Sequence, residues 1–253
     1  LDYVYTENRR PCLLPTVVVE MAAAVACIAG FGEGAVLRDL EVGYSPDWSL
    51  VGELSAVVLA EGNVPLIELA ASEGGAPGRP FARVRIVTEG AVVRPGIAVD
   101  DLRAGAVRSL SGGGLYQELA QAKQRFLPYL EVVESVWQLD GDGVLLGLRL
   151  DHPEQDRFKR NVQFSPAMLG AAWQALLLVR PQFAGFSLSR VAEIVLIGGA
   201  ASQVLVRPVA GNEAWDVLFL DAAGNVVAAL QGLHLAAPDQ LVWSPVGVAR
   251  AAA

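Results

Sequence analysis

The feature that most restricts how this chain can fold is a stretch of apolar sequence with no polar face. Leu13-Leu14-Pro15 leads into Thr16-Val17-Val18-Val19-Glu20-Met21, and an alanine-rich run then continues to Gly30, with Gly32 and Gly34 just beyond. Proline near the start and glycine past the end are helix punctuation. A helix lying on a surface keeps one side polar, whereas one that is apolar on nearly all sides has to be wrapped by other parts of the chain. The stretch is too short and, with Glu20, too polar to span a bilayer, and it stands in the wrong place for a cleavable signal. It reads as a central, buried helix.

The chain beyond Gly34 supplies the wrapping. Strands are expected over 37–42, 50–59, 65–71 and 80–87, separated by Gly, Pro, Asn and Asp turn signals. The stretch 90–114, with proline, several glycines and little periodicity, reads as a linker. An amphipathic helix is expected over 115–126 and strands over 129–139 and 143–150. Phe164-Ser165-Pro166-Ala167-Met168-Leu169 then opens a second apolar helix ending near Val179, and strands resume over 191–197, 202–209, 214–220 and 226–235. The second half repeats the first in element order, not in residue identity, which is the mark of a degenerate internal duplication. One helix and then a run of antiparallel strands is the order of a hotdog fold. The expected class is therefore α+β, a double hotdog: two antiparallel sheets, each wrapping a central helix. Its parts are an N-terminal hotdog over 1–95, a linker over 96–114 and a C-terminal hotdog over 115–253, packed together as one domain.

Composition removes several alternatives. Of 253 residues, 53% are hydrophobic and 18% charged, which excludes a disordered chain. The net charge is −8 and the Lys and Arg residues are scattered singly, so nucleic acid is not an expected partner. Cys12 and Cys27 are the only cysteines and both lie in apolar sequence, so neither a disulfide framework nor a zinc site is expected. A reducing, cytoplasmic compartment and no membrane attachment fit this usage. The chain opens at Leu1 and closes on three alanines, which leads us to expect a segment of a longer polypeptide.

Four segments then resemble the dehydratase domains of modular polyketide synthases. The family's first motif, His-x-x-x-Gly-x-x-x-x-Pro, has the spacing of Thr6-Glu7-Asn8-Arg9-Arg10-Pro11-Cys12-Leu13-Leu14-Pro15, and Glu20 comes next, as it often does in the family. Thr6 stands where the family has His, and Arg10 where it has Gly. Its second motif, Gly-Tyr-x-Tyr-Gly-Pro-x-Phe with a Trp beyond, resembles Lys123-Gln124-Arg125-Phe126-Leu127-Pro128-Tyr129-Leu130 with Trp137. Its third, His-Pro-x-Leu-Leu-Asp-x-x-x-Gln, is similar to Ser165-Pro166-Ala167-Met168-Leu169-Gly170-Ala171-Ala172-Trp173-Gln174, where Gly170 replaces the aspartate. The stretch 186–197 resembles the one that precedes the family's final strands.

The resemblance implies a domain that handles 3-hydroxyacyl thioesters on the phosphopantetheine arm of an acyl carrier protein, with no cofactor bound to the domain itself. In the family the His removes the C2 proton and the Asp protonates the leaving hydroxyl, so the chemistry needs one group titrating near neutrality and one carboxylic acid. Thr6 has no accessible pKa as a base and Gly170 has no side chain. Because acid–base catalysis contributes roughly 10²–10⁴-fold per group, the expectation is no ordinary dehydration. Pro15, Tyr129, Pro166 and Gln174 remain as candidates for a tunnel or relic site. The implied function is a catalytically inactive, dehydratase-like domain of a multidomain polyketide or polyunsaturated fatty acid synthase, with a structural or acyl-chain-accommodating role. Its implied partners are the carrier protein, neighbouring synthase domains and, through a hotdog edge, a second copy. The competing reading is altered chemistry, double-bond isomerisation or cyclisation, on carrier-bound chains.

Other candidates have simpler explanations. Glu7 and Tyr5 flank Thr6, but strand alternation points both away from where residue 6 points. His152 sits in the polar run Asp151-His152-Pro153-Glu154-Gln155-Asp156, most simply a solvated loop, and His234 falls in an alternating strand and most simply faces outward. Neither has a metal-ligand partner at suitable spacing. Cys12 has no nearby His to activate it. Trp137, Trp173, Trp215 and Trp243 read as core or interface, and Ser111-Gly112-Gly113-Gly114 comes after no clear strand and is not a phosphate loop.

Overall fold

In a computed structural model, residues 4–7, 10–31, 36–48, 50–62, 64–87, 96–149, 164–211 and 213–241 are described. The first half runs β1 (Val4–Glu7), β2 (Arg10–Leu13), α1 (Val17–Ile28), β3 (Val36–Val42), β4 (Val51–Glu61), β5 (Val64–Glu73) and β6 (Arg79–Val87). The second runs α2 (Val99–Ala104), β7 (Arg108–Ser111), α3 (Gly112–Gln121), β8 (Gln124–Phe126), β9 (Val133–Gln138), β10 (Val144–Leu148), α4 (Pro166–Val179), β11 (Ser187–Leu196), β12 (Gln203–Pro208), β13 (Trp215–Leu220) and β14 (Val226–Ala236).

The two central helices form where their punctuation places them. Pro166 opens α4 behind Ser165, whose Oγ accepts a hydrogen bond from the Met168 amide at 3.1 Å. Nearly every α4 residue from Pro166 to Leu177 is buried, and α1 buries Val17, Val18, Val19, Glu20, Ala22, Ala23 and Ala26. Each helix carries the apolar surface of a core element on most of its circumference, and a curved sheet supplies the partner.

That sheet is continuous. Eleven antiparallel strands run in the order β4-β5-β6-β3-β11-β14-β13-β12-β10-β9-β7, so the two hotdog sheets merge where β3 pairs with β11. Ion pairs line the seam: Arg85 and Arg190 both meet Asp39, at 3.1 and 3.0 Å, and Arg38 meets Glu193 at 3.1 Å. Asp39 takes a left-handed φ of 53° at a bulge where the β3–β6 register shifts between Arg38 and Glu41.

Two local expectations are corrected. The helix expected over 115–126 begins earlier and ends earlier, as α3. Its N-terminus is fixed by Ser111, whose Oγ accepts from the Gly114 amide, and by Gly112, where a Cβ would stand 1.9 Å from the Val133 carbonyl oxygen. Its end is set by Lys123 in the left-handed region, φ 62°, after which β8 begins. The strand expected over 129–139 is a single 3-10 turn, Pro128–Leu130, and then the shorter β9. The motif segment 4–13 holds a hairpin, β1–β2, and β1 also pairs with β8 to form a separate three-stranded sheet.

In the stretch 96–114 the structure holds α2, β7 and the start of α3. Val99 and Leu102 of α2 pack with Ile97 on a second apolar cluster, Leu145, Leu205, Leu218 and Leu220 among its members, on the sheet side opposite α4.

Candidate functional site

The three motif segments, far apart in sequence, meet around α4. Gly170 is buried in the middle of the helix, and a Cβ there would lie 3.3 Å from Leu130 Cδ2 and 3.7 Å from Leu14 Cδ1. Leu14 precedes α1, Leu130 closes the Pro128–Leu130 turn, and both are fully buried. One turn further along α4, the Gln174 Nε2 donates to the Leu130 carbonyl at 2.8 Å. Its Oε1 is buried and accepts no hydrogen bond among the described residues.

The start of α1 is tied to the same place. Thr16 makes no side-chain bond to its own helix. Its hydroxyl instead donates across to the Leu169 carbonyl, a long 3.4 Å contact between the two central helices. Glu20, one turn on, is buried, and its carboxylate accepts from the Phe164 amide at 2.5 Å just before α4 begins. An acid in the first turn of α1 also suits the positive end of that helix.

The structure therefore brings together the neighbourhoods of Pro15, Tyr129, Pro166, Gly170 and Gln174. Pro166 and Tyr129 are buried, Pro15 is half-buried, and Tyr129 belongs to the main apolar core. Thr6 is placed through its backbone alone, opposite Pro11 in β2 and Arg125 in β8, beside the second motif segment. The side chains of Glu7 and Cys12, and all of His152 and Trp243, lie outside the described residues. His234 stands opposite the exposed Arg190 of β11, on the face its alternation suggests. It is half-buried on β14, and burial first, then the Arg190 guanidinium, hold its pKa below the ordinary 6.5 against a smaller opposing pull from Glu213. Trp173 and Trp215 are buried in the core and Trp137 packs on the second cluster, under the Arg103 guanidinium.

Leu14, Leu130 and Thr16 carry no chemical signal that sequence alone could single out. Their role emerges only from the meeting of segments from 44 to 153 residues apart. The resemblance does put Leu130 at a motif position, the one where the family has an aromatic ring. Among the described residues no group of three or more His, Cys, Asp or Glu is arranged to hold a metal ion, and no helix is long and apolar enough to cross a membrane.

Residues 94–241, more than half of the chain, match the family model described as polyketide synthase dehydratase N-terminal domain. The chain belongs to the polyketide synthase dehydratase family. Solved dehydratases share its fold. The domain from the CurF module of the curacin polyketide synthase is 19% identical, with a TM-score of 0.76 over 93% of this chain and 87% of that one. A trans-AT dehydratase from Brevibacillus brevis is also 19% identical, with a TM-score of 0.76 over 90% of this chain and 86% of that one. The CurK dehydratase of the curacin synthase, whose inactive mutants carry Phe for a His and Asn for an Asp, is 18% and 17% identical in those two forms; TM-scores are 0.74 and 0.73, and each comparison covers 94% of this chain and 88% of that one. No curated protein matches.

Proposed function

We propose that this dehydratase-family domain is catalytically inactive and works as a structural, acyl-chain-accommodating part of a polyketide or polyunsaturated fatty acid synthase. One observation carries the reading: the position that matches the family's aspartate is Gly170, closed in by Leu14 and Leu130. A proton donor placed there would need a carboxyl group and open space between it and the substrate. The position has no side chain, and Leu130 and Leu14 fill the space that a larger one would need. By the same motif spacing, Thr6 replaces the family's base. The CurK dehydratase is inactive when its His becomes Phe or its Asp becomes Asn, which supports reading the loss of both here as loss of dehydration.

The partners in this proposal are the acyl carrier protein, whose phosphopantetheine arm presents the chain as a substrate, and the neighbouring synthase domains, in a cytoplasmic setting. The experiment is a turnover assay. Carrier protein loaded with 3-hydroxyacyl and enoyl chains is incubated with this domain beside an active dehydratase, and products are tracked by mass and by chromatography. No water loss, double-bond migration or cyclisation is the expected result, and loss of water at a rate near the control's would overturn the proposal.

A second reading has one observation in its favour. The buried Oε1 of Gln174 lacks a donor among the described residues, and leaving a buried acceptor unmade costs about 1–3 kcal/mol. A ligand hydroxyl or amide would satisfy it. Under this reading, isomerised or cyclised product appears in the same assay and is lost in Gln174→Leu.

A further inference from the structure

The turn between β9 and β10 repeats one dipeptide. Leu139-Asp140-Gly141-Asp142-Gly143 holds both of the chain's Asp-Gly pairs, and none of its asparagines precedes a glycine. Asp before glycine is the pair most open to ring closure of a side-chain carboxyl on the next amide. Glycine has no Cβ, so its own nitrogen is unshielded and its backbone turns freely toward the carboxyl. By sequence the two pairs are equal. In the fold they are not.

Asp140 is exposed, and its Oδ1 accepts from the Gly141 amide at 2.9 Å. The carboxyl thus lies against the nitrogen that follows it, on the side to which the N–H points. When that proton leaves, the electron pair on nitrogen occupies the same direction and faces the carboxyl. Nothing obstructs the closure. Gly141 is exposed in the left-handed region, φ 65° and ψ 36°, and no atom beyond its chain neighbours lies within 4 Å of where a Cβ would stand. The second pair is restrained at both residues. The Asp142 carboxylate accepts from the Arg180 guanidinium, just past α4, and among the described residues it accepts nothing from the Gly143 amide. Gly143 is buried, a Cβ there would stand 3.2 Å from Leu139 Cβ, and its carbonyl accepts from the Leu139 amide at 2.7 Å to close the turn. A ring at 142–143 would have to draw the carboxylate off Arg180 and disturb that closure.

We propose that Asp140 is a site of spontaneous covalent modification, isomerising to isoaspartate through a cyclic imide with the Gly141 amide, and that Asp142 is spared because Arg180 holds it. In the first step the Gly141 nitrogen bonds to Asp140 Cγ, and the hydroxyl of the protonated carboxyl leaves with the amide proton as water. In the second, water adds to the imide. Addition at the main-chain carbonyl carbon of Asp140 breaks its bond to the Gly141 nitrogen, and the chain then runs through Cγ. Addition at Cγ restores aspartate. One water is lost and one gained, so mass is unchanged and no oxidant or reductant is needed. The product's main chain is one methylene longer inside a turn closed by the Leu139–Gly143 bond. Asp140 and Gly141 also line the cavity between α2 and Leu205, so the modification moves one wall of it.

The test is ageing of the purified chain in warm neutral buffer, beside the same chain held unfolded in urea. Total isoaspartate is counted by methyl transfer from S-adenosylmethionine with an isoaspartyl methyltransferase. Its position is read by electron-transfer fragmentation of the tryptic peptide 126–149, which holds both pairs. The folded chain is expected to carry about tenfold more isoaspartate at 140 than at 142, since only the first pair is held in reacting geometry. In urea the two positions should react alike. Folded Arg180→Gln should raise modification at 142 several-fold and leave 140 as it was. Equal amounts at both positions in the folded chain, a folded chain unmodified at 140 while the urea sample reacts, or no rise at 142 in folded Arg180→Gln would each overturn the proposal. The comparison of folded with unfolded chain decides the matter even if Arg180→Gln fails to fold.

Discussion

The two ends of the long sheet differ in what lies over them. At the β4 end residues 52–60 are exposed on both faces, whereas β10, third from the other end, buries Val144, Leu145, Leu146 and Leu148 on both. Both are built mainly of valine, leucine and alanine or glycine, with Glu53, Ser55 and Glu61 added in β4. What differs is the cover. On one side of β10 lies α4, and on the other the second apolar cluster closes under Ile97, Val99 and Leu102 of the segment that joins the halves. The terminal strand beyond it, β7, is only four residues long and Arg108 is ion-paired to Glu118, so that edge is short and charged where the β4 edge is long and apolar. An apolar strand is thus a core strand where its neighbours cover it and an exposed one where they do not.

The comparison breaks most directly by truncation. Trp173→Ala, emptying the largest fully buried side chain, is expected to cost about 3–5 kcal/mol, and Leu205→Ala under the joining segment about 2–5 kcal/mol. Leu54→Ala and Val57→Ala, measured on the monomer, should stay within about 0.5 kcal/mol, as exposed positions do. Urea unfolding of the four variants gives the order. If Leu205→Ala proves as mild as Leu54→Ala, the joining segment is not a cover and the two ends are alike.

A smaller effect sharpens the same contrast inside α4. Glycine in a helix interior is disfavoured by about 1 kcal/mol relative to alanine, so Gly170 persists against local preference. The cause offered by the structure is Leu130, 3.3 Å from where a Cβ would stand. Gly170→Ala is therefore expected to destabilise by about 1 kcal/mol through overpacking. In a Leu130→Ala background the same change is expected to stabilise by a similar amount. A double-mutant cycle measures the coupling, expected at about 1–2 kcal/mol. Additivity would mean that Leu130 does not hold the position closed. An exposed strand such as β4 should show no coupling of this kind between Leu54 and Val57, whose side chains leave opposite faces.

Much of this was legible in the chain. Both central helices and most of the strands lie within a few residues of where periodicity and punctuation put them, because their patterns are strong and local. What escaped was decided at a distance. The residues of 50–59 read as a strand from their own pattern, but their exposure depends on where α1 stops, and no local pattern carries that. The start of α3 turns on the approach of the Val133 carbonyl to Gly112. At the site, the substitutions Thr6 and Gly170 were visible against the family's motifs. The leucines that fill the space at Gly170 were not, since leucine in an apolar chain announces nothing.

The ion pairs at the seam give a smaller effect still. Asp39 is shared by Arg85 from the N-terminal half and Arg190 from the C-terminal half, with each side chain a third to a half exposed. Pairs so exposed contribute about 0–1 kcal/mol each and are screened by salt. Asp39→Asn should lower stability by about 1 kcal/mol or less at low ionic strength and by less at high. If the loss is as large in high salt, it lies in packing or hydrogen bonding at Asp39 rather than in charge, since Asn also accepts the left-handed turn, and the halves are joined by the ladder alone.

The smallest expected effect is the pH response of His234, on β14 beside that seam. Its folded pKa lies below the ordinary 6.5, because burial and the nearby Arg190 both disfavour the imidazolium while Glu213 offsets part of this. The unfolded chain then binds the proton more readily than the folded one, so stability falls as pH drops through the unfolded value near 6.5 and levels off below the folded one. His234→Gln should remove that part of the decline as pH falls below the unfolded value and leave stability near pH 8 nearly unchanged. The measurement is a melting temperature at each pH for both proteins. A decline of equal size in the variant would assign it to carboxylates or to groups at the β4 end, and His234 would then count as the exposed strand residue that its alternation alone suggests.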